Sequence, residues 1–151
     1  RAAVTNDPLL LQNQLCFPLY ACAREVVRLY RPHLDKIGLT YTQYIVMMVL
    51  WERRSATVKE LGAALRLDSG TLTPLLKKLE AEGLVTRSRD ERDERSVRIA
   101  LTGAGADLRA RAEGIPAEMR KCIPLSDADA RELYRLLYLI LDKGRGKAHE
   151  L

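Results

Sequence analysis

Apolar positions along this chain fall into blocks of helical spacing, interrupted by two short alternating segments. The first block lies behind Asn6-Asp7-Pro8, which predicts a helix start with Asp7 as cap and Pro8 at the first helical position, and it continues towards Leu34. Pro18 interrupts the run, because its ring displaces a carbonyl of the preceding turn; the helix either kinks or properly begins there. Gly38 ends the block. Thr40 with Gln43 then forms a capping-box pattern ahead of Tyr44 to Trp51, a segment apolar nearly all round and therefore expected to be buried.

The centre of the chain has the sharpest pattern. Thr57 and Glu60 make a second capping box before a short helix with Leu61, Ala64 and Leu65 on one face. Asp68-Ser69-Gly70 reads as a tight turn. A helix from Thr71 to Glu82 follows, with Leu72, Leu75, Leu76 and Leu79 at the i, i+3, i+4, i+7 spacing of a buried stripe. Its remaining positions, with Ser69 just ahead, offer Thr71, Thr73, Pro74, Lys77 and Lys78. A short helix, a tight turn and a second helix with a small, hydroxylated and basic face match what entry into a DNA major groove requires.

Gly83 suits a left-handed C-cap, after which Leu84–Arg87 and Val97–Leu101 read as two alternating strands. The hairpin carries Arg87, Arg89, Arg92, Arg95 and Arg98, placed at a wing tip to contact phosphates and the minor groove. Asp90, Glu91, Asp93 and Glu94 nearly cancel them by count, so position directly after the recognition helix, rather than charge, recommends the wing. Thr102-Gly103 starts a further helix that runs to Pro116 or somewhat beyond. Ser126 caps the last one, whose Leu133, Leu136, Leu137 and Ile140 form a stripe longer than a lone domain of this size needs to cover. The expected fold is mainly α with a small β-hairpin wing: a winged helix-turn-helix lobe over 41–101, with helices 8–37 and 103–143 forming a dimerisation region from both termini. A two-fold protein of this kind reads two half-sites of palindromic double-stranded operator DNA.

Composition refines this picture without redirecting it. At 151 residues, 47% apolar and 30% charged, the chain fits one domain with a substantial core. The uncharged stretch Ile37 to Trp51 is shorter than the ~20 residues that span a bilayer, and no signal-peptide pattern stands near Arg1, so no membrane role and a cytoplasmic location are expected. A net charge of +5 mildly favours a polyanionic partner. Cys16, Cys22 and Cys122 make an odd set without a C-x-x-C pair, and only His33 and His149 could add imidazole ligands, so neither a metal site nor a cofactor is expected. No Ser/His/Asp set or Gly-rich phosphate loop stands out, which argues against an enzyme.

Leu67-Asp68-Ser69-Gly70-Thr71-Leu72-Thr73-Pro74-Leu75-Leu76-Lys77, followed by Asp93-Glu94-Arg95-Ser96-Val97 and Leu101-Thr102, strongly resembles the MarR family of winged-helix regulators. Asn13-Gln14-Leu15-Cys16-Phe17 with Tyr20, Tyr30 and Tyr41 narrows the resemblance to the OhrR branch, which senses organic hydroperoxides. The resemblance implies a repressor whose Cys16 is the peroxide-reactive thiol, with Tyr30 and Tyr41 of the other subunit hydrogen-bonded to it and with Phe17 and Tyr20 favouring an apolar peroxide. Helix geometry agrees, because Tyr30 lies fourteen residues, roughly 21 Å, beyond Cys16 along a continuous helix and reaches it only across an antiparallel pair. Without the resemblance these tyrosines read as edges of an amphipathic core. Cys122 resembles the resolving cysteine of the two-cysteine subclass, which implies an intersubunit disulfide with Cys16. Cys22, on another helical face, reads as a packed thiol. Two other readings compete: a MarR regulator controlled by a phenolic or lipophilic ligand, and a thiol peroxidase.

Overall fold

The computed structural model describes residues 6–147 and divides into two compact units, one reaching to Pro116 and the other beginning at Ala117. In the first unit, α1 (Cys16–Asp35) and α2 (Tyr41–Arg53) precede a short strand β1 (Ser55–Thr57). The pair α3 (Val58–Leu65) and α4 (Ser69–Ala81) leads into the hairpin β2 (Val85–Arg89) and β3 (Val97–Leu101), and α5 (Gly103–Ala112) follows. After α6 (Ile115–Cys122), the second unit ends in α7 (Asp127–Lys147). The sheet is antiparallel in the order β1-β3-β2, with Ile99 opposite both Ala56 and Arg87. The positions read near Arg1 and at His149 lie outside the described residues.

Local signals set most of the boundaries. Thr40 accepts from the Gln43 N–H while the Gln43 side chain accepts from the Thr40 N–H at 2.9 Å, and Thr57 and Glu60 exchange the same pair of bonds. Each box satisfies two N–H groups that a helix start leaves without partners. Ser126 accepts from Asp129 at 3.1 Å and opens α7. The core of the first unit encloses α2: Val46, Met47 and Leu50 are fully buried, as are Leu61, Leu72, Leu79 and Ile99 on the elements around it.

Several expectations need correction. The first long helix begins at Cys16, not at Pro8; Asp7 accepts from the Leu9 N–H at 2.9 Å and so caps a turn, while Pro18 stands in the first turn of α1, where no intrahelical donor is lost. The recognition helix starts at Ser69 because the cap is Asp68, which accepts from the Thr71 N–H at 2.7 Å; the tight turn is Arg66 to Asp68, with Arg66 left-handed at φ 56°. Strand β1 was not anticipated, since three residues carry no periodicity. The helix after Gly103 breaks at Glu113-Gly114 and resumes at Ile115, short of the single run to Pro116. Cys22 is exposed on α1 rather than packed.

Two glycines fix how closely the elements approach. A Cβ on Gly62 would lie 2.7 Å from the Leu67 carbonyl oxygen, which holds the turn tightly against α3. At Gly105 the clash is harsher, with a Cβ 2.1 Å from the Leu84 carbonyl oxygen. Gly105→Ala must therefore push α5 off the end of α4, and urea unfolding should show a loss of about 2–4 kcal/mol. Gly103→Ala, with nothing within 4 Å of its Cβ, should stay within about 1 kcal/mol of wild type in the same assay.

Candidate nucleic-acid interface and thiol cluster

Helix α4 buries Leu72, Leu76 and Leu79 and leaves Ser69, Thr71, Pro74, Lys77 and Lys78 exposed. Thr73 is half-buried, and its hydroxyl donates to the Ser69 carbonyl at 2.8 Å, leaving its lone pairs to accept. The Asp68 cap is held ionised below the usual aspartate range chiefly by the Thr71 N–H. This exposed face is small and basic, as close backbone approach to a groove demands.

The wing sorts its charges in space. Arg98 does not point outward as read from the sequence. Its Nε donates to Asp90 Oδ1 at 2.9 Å and its Nη1 to Ser55 Oγ at 3.1 Å, bracing the wing loop across the sheet to β1. Asp93 turns the loop by accepting from the Arg95 N–H at 3.0 Å, while its carbonyl accepts from the Ser96 N–H at 2.9 Å. Arg89, Arg92 and Arg95 remain exposed. Strand alternation puts Arg87 on the inner face beside Ile99, where its backbone N–H donates to Glu80 at 3.1 Å. Among the described residues, its Nε is buried without a hydrogen-bond partner. A recess of about 360 Å³ between α3, α4 and the wing is lined by Lys59, Thr73, Arg87, Arg95 and Ser96. Lys59 and Ser96 were missed by the sequence reading, because Lys59 sits on the preceding helix and Ser96 looks like ordinary loop.

The thiol-side residues occupy three places. Cys16 stands at the first position of α1, exposed, with Phe17 beside it and Tyr20 one turn on under the Arg24 guanidinium, 5.6 Å from the ring centroid. Tyr30 and Tyr41 pack together with ring centroids 4.9 Å apart, and Tyr44, which the sequence reading left in the core, joins them at 5.7 and 6.4 Å. Burial raises the pKa of all three phenols above the usual 10.0, with added repulsion between them at Tyr30 and Tyr44, so each is a neutral donor at physiological pH. Cys122 ends α6 and is exposed. Among the described residues, no group of three His, Cys, Asp or Glu side chains is placed to hold a metal, and no helix is long and apolar enough to cross a membrane.

A helix-turn-helix with an exposed basic recognition face, followed by a braced hairpin, defines a winged-helix DNA-binding transcriptional regulator. The sequence profile described as transcriptional regulator SarA/Rot matches residues 28–111. The organic hydroperoxide resistance transcriptional regulator of Bacillus subtilis is 48% identical over 136 residues, covering 90% of this chain and 92% of that protein. Reduced AbfR bound to DNA superposes with a TM-score of 0.77 at 33% identity, over 90% of this chain and 93% of that one. Disulfide-formed AbfR gives 0.63 at 38% identity, over 87% and 92%; AbfR comes from Staphylococcus epidermidis. The chain belongs to this SarA/Rot and MarR-type family of winged-helix regulators.

Two titrations check the site electrostatics. Hydrogen bonding from Arg98 holds the Asp90 carboxyl below its usual value, so the wing brace is intact above the ordinary aspartate range and is lost as pH falls through the lowered value. Carboxyl NMR should show Asp90 titrating below the ordinary aspartate value in wild type and moving upward in Arg98→Ala. For Tyr30, Tyr41 and Tyr44 the sign is opposite: the folded pKa is raised, so their contribution is complete below pH about 10 and is lost as pH rises through the folded values. Ultraviolet titration should therefore find phenols that ionise above 10.

Proposed function

We propose that this chain is a homodimeric repressor that binds palindromic operator DNA when reduced and releases it when an organic hydroperoxide oxidises Cys16. The observation that carries the reading is the pairing of an exposed Cys16 at the start of α1 with a packed, neutral Tyr30–Tyr41 pair at its far end, in a chain 48% identical to a hydroperoxide resistance regulator. Fourteen residues of unbroken helix separate them by roughly 21 Å, so the tyrosines serve the Cys16 of a second copy. Exposed Phe17, Leu19 and Val27 on α1 and Leu133, Leu136, Leu139 and Ile140 on α7 supply the apolar surface that the second copy covers.

In the chemical step the Cys16 thiolate attacks the distal peroxide oxygen, the O–O bond breaks, and the leaving alkoxide takes a proton from solvent to depart as an alcohol while the sulfur becomes a sulfenic acid. The phenols donate hydrogen bonds to the reacting sulfur, and Phe17 and Tyr20 favour an apolar peroxide. The Cys122 thiol, from the partner chain, then attacks the sulfenic sulfur, forming a disulfide and releasing water; a cellular dithiol reverses it. The disulfide-formed structure of AbfR supports this second step. Release follows when the two α4 helices leave half-site spacing. Ser69, Thr71, Thr73, Pro74, Lys77 and Lys78 contact the major groove and Arg92 and Arg95 the backbone and minor groove, while Arg87, read from the sequence as a third such contact, is turned inward and borders the recess beside them. DNA and reducible thiols fit a cytoplasmic setting.

A second reading draws on one observation, a groove of about 420 Å³ between α2 and α5 lined by Tyr44, Met48, Trp51 and Arg109, which suits a phenolic or lipophilic ligand. Gel shifts with reduced wild type, Cys16→Ser and Cys122→Ser, titrated with cumene hydroperoxide beside non-reducing gels, decide between them. The sensor reading expects wild type to leave DNA as a cross-linked dimer, Cys16→Ser to stay bound, and Cys122→Ser to oxidise without cross-linking. Equal behaviour of all three proteins would sink it. Lys77→Ala should weaken operator binding about tenfold.

A further inference from the structure

Resting on the sensing reading above, we infer that Trp51 is a positioning residue that carries the state of the tyrosine cluster to the end of the recognition helix. The path has no gap. Tyr44 touches Tyr30 and Tyr41, and two turns further along α2 its ring meets Trp51 edge-on, with centroids 6.4 Å apart and planes at 68°. The Trp51 indole N–H, its single donor, gives its hydrogen bond to the Gly105 carbonyl at 2.9 Å, across 54 residues of sequence. Gly105 in turn lies against the Leu84 carbonyl at a distance that admits no Cβ.

That carbonyl belongs to the turn that ends α4. Leu84 donates its N–H back to Leu79 at 3.1 Å, and its carbonyl accepts from the Thr102 N–H at 3.1 Å. The Thr102 hydroxyl donates to the Gly83 carbonyl at 2.6 Å and accepts from the Gly105 N–H at 3.0 Å. A displacement of Trp51 that keeps its hydrogen bond is therefore passed to this turn. Its ring moves as a rigid body, its one hydrogen bond is directional, and the backbone it holds is in direct contact with the recognition helix's C-terminal turn. When Tyr30 and Tyr41 lose their partner at the oxidised sulfur, Tyr44 repacks, Trp51 follows, and the turn at Gly83-Leu84 shifts with Gly105.

Trp51 is the one tryptophan in the sequence, so the native protein reports on itself. In DNA-free wild type treated with cumene hydroperoxide, tryptophan emission should change at the rate at which the protein loses operator affinity, and Cys16→Ser should show no change. Trp51→Phe keeps an aromatic ring but removes the donor. It should oxidise at the wild-type rate by mass spectrometry and bind operator within about threefold of wild type when reduced, while its oxidised-to-reduced Kd ratio falls at least tenfold below the wild-type ratio. Wild-type release with unchanged emission, or a full wild-type ratio in Trp51→Phe, would overturn the inference. Should Trp51→Phe fail to fold, the emission arm decides alone. If wild type oxidised at Cys16 keeps its operator affinity, the sensing reading itself fails and takes this inference with it.

Discussion

The enclosure of α2 governs the first unit. Val46, Met47 and Leu50 are fully buried while Thr42, Met48 and Glu52 form its exposed side, and α1, α3, α4, α5, β1 and β3 all pack against this helix. Burying three such side chains is worth about 5–9 kcal/mol at transfer values, comparable to the net stability of a whole domain. The elements around α2 therefore cannot drift independently. The orientation of α4 and the placement of the tyrosine cluster are consequences of the same packing, because both lie on the surface of one helix.

Much of this was legible because it is local. The pairs Thr40/Gln43 and Thr57/Glu60 and the Ser126 cap are side chains bonded to backbone three residues away, and their spacing states the geometry. The leucine stripe of α4 is legible for a similar reason, since one face is fully buried. Signals of equal local quality misled where two competed. Asp7-Pro8 and Pro18 both look like helix starts, and the three-residue turn Leu11–Asn13 between them is too short to nucleate further. Strand β1 is invisible in isolation, because Ser55–Thr57 is extended through its pairing with Ala100, Ile99 and Arg98, more than forty residues away.

The wing shows why counting charge is a poor guide to a surface. Acids and arginines nearly balance in the loop, yet Asp90 is tied to Arg98 and Asp93 to the loop backbone, so two of the four acids become scaffolding while Arg92 and Arg95 stay exposed. A carboxylate paired with a guanidinium at about 3 Å leaves only the field of a dipole, which falls off faster than that of a free charge. Arg87 is the converse case. Sequence places it with the outward arginines, but strand alternation turns it inward, where it borders the same recess as Lys59 on another element. The recess is a property of three elements meeting, and no single window of sequence contains it.

The same distinction between local and assembled properties bears on the thiol. Along α1, Cys16 and Tyr30 stand at opposite ends of a helix that is continuous from Cys16 to Asp35, so no side-chain rotamer joins them within one chain. One copy therefore holds the two parts of the proposed sensor apart: an exposed thiol at the start of α1 and a packed tyrosine cluster towards its other end. In the proposed dimer, an antiparallel pairing of two copies along α1 would complete both sites at once, and the exposed apolar residues on α1 and α7 would favour it. Sensing and operator spacing then depend on one interface. In the proposed sensor, a strain placed on the sulfur would be felt by the geometry that sets the distance between recognition helices.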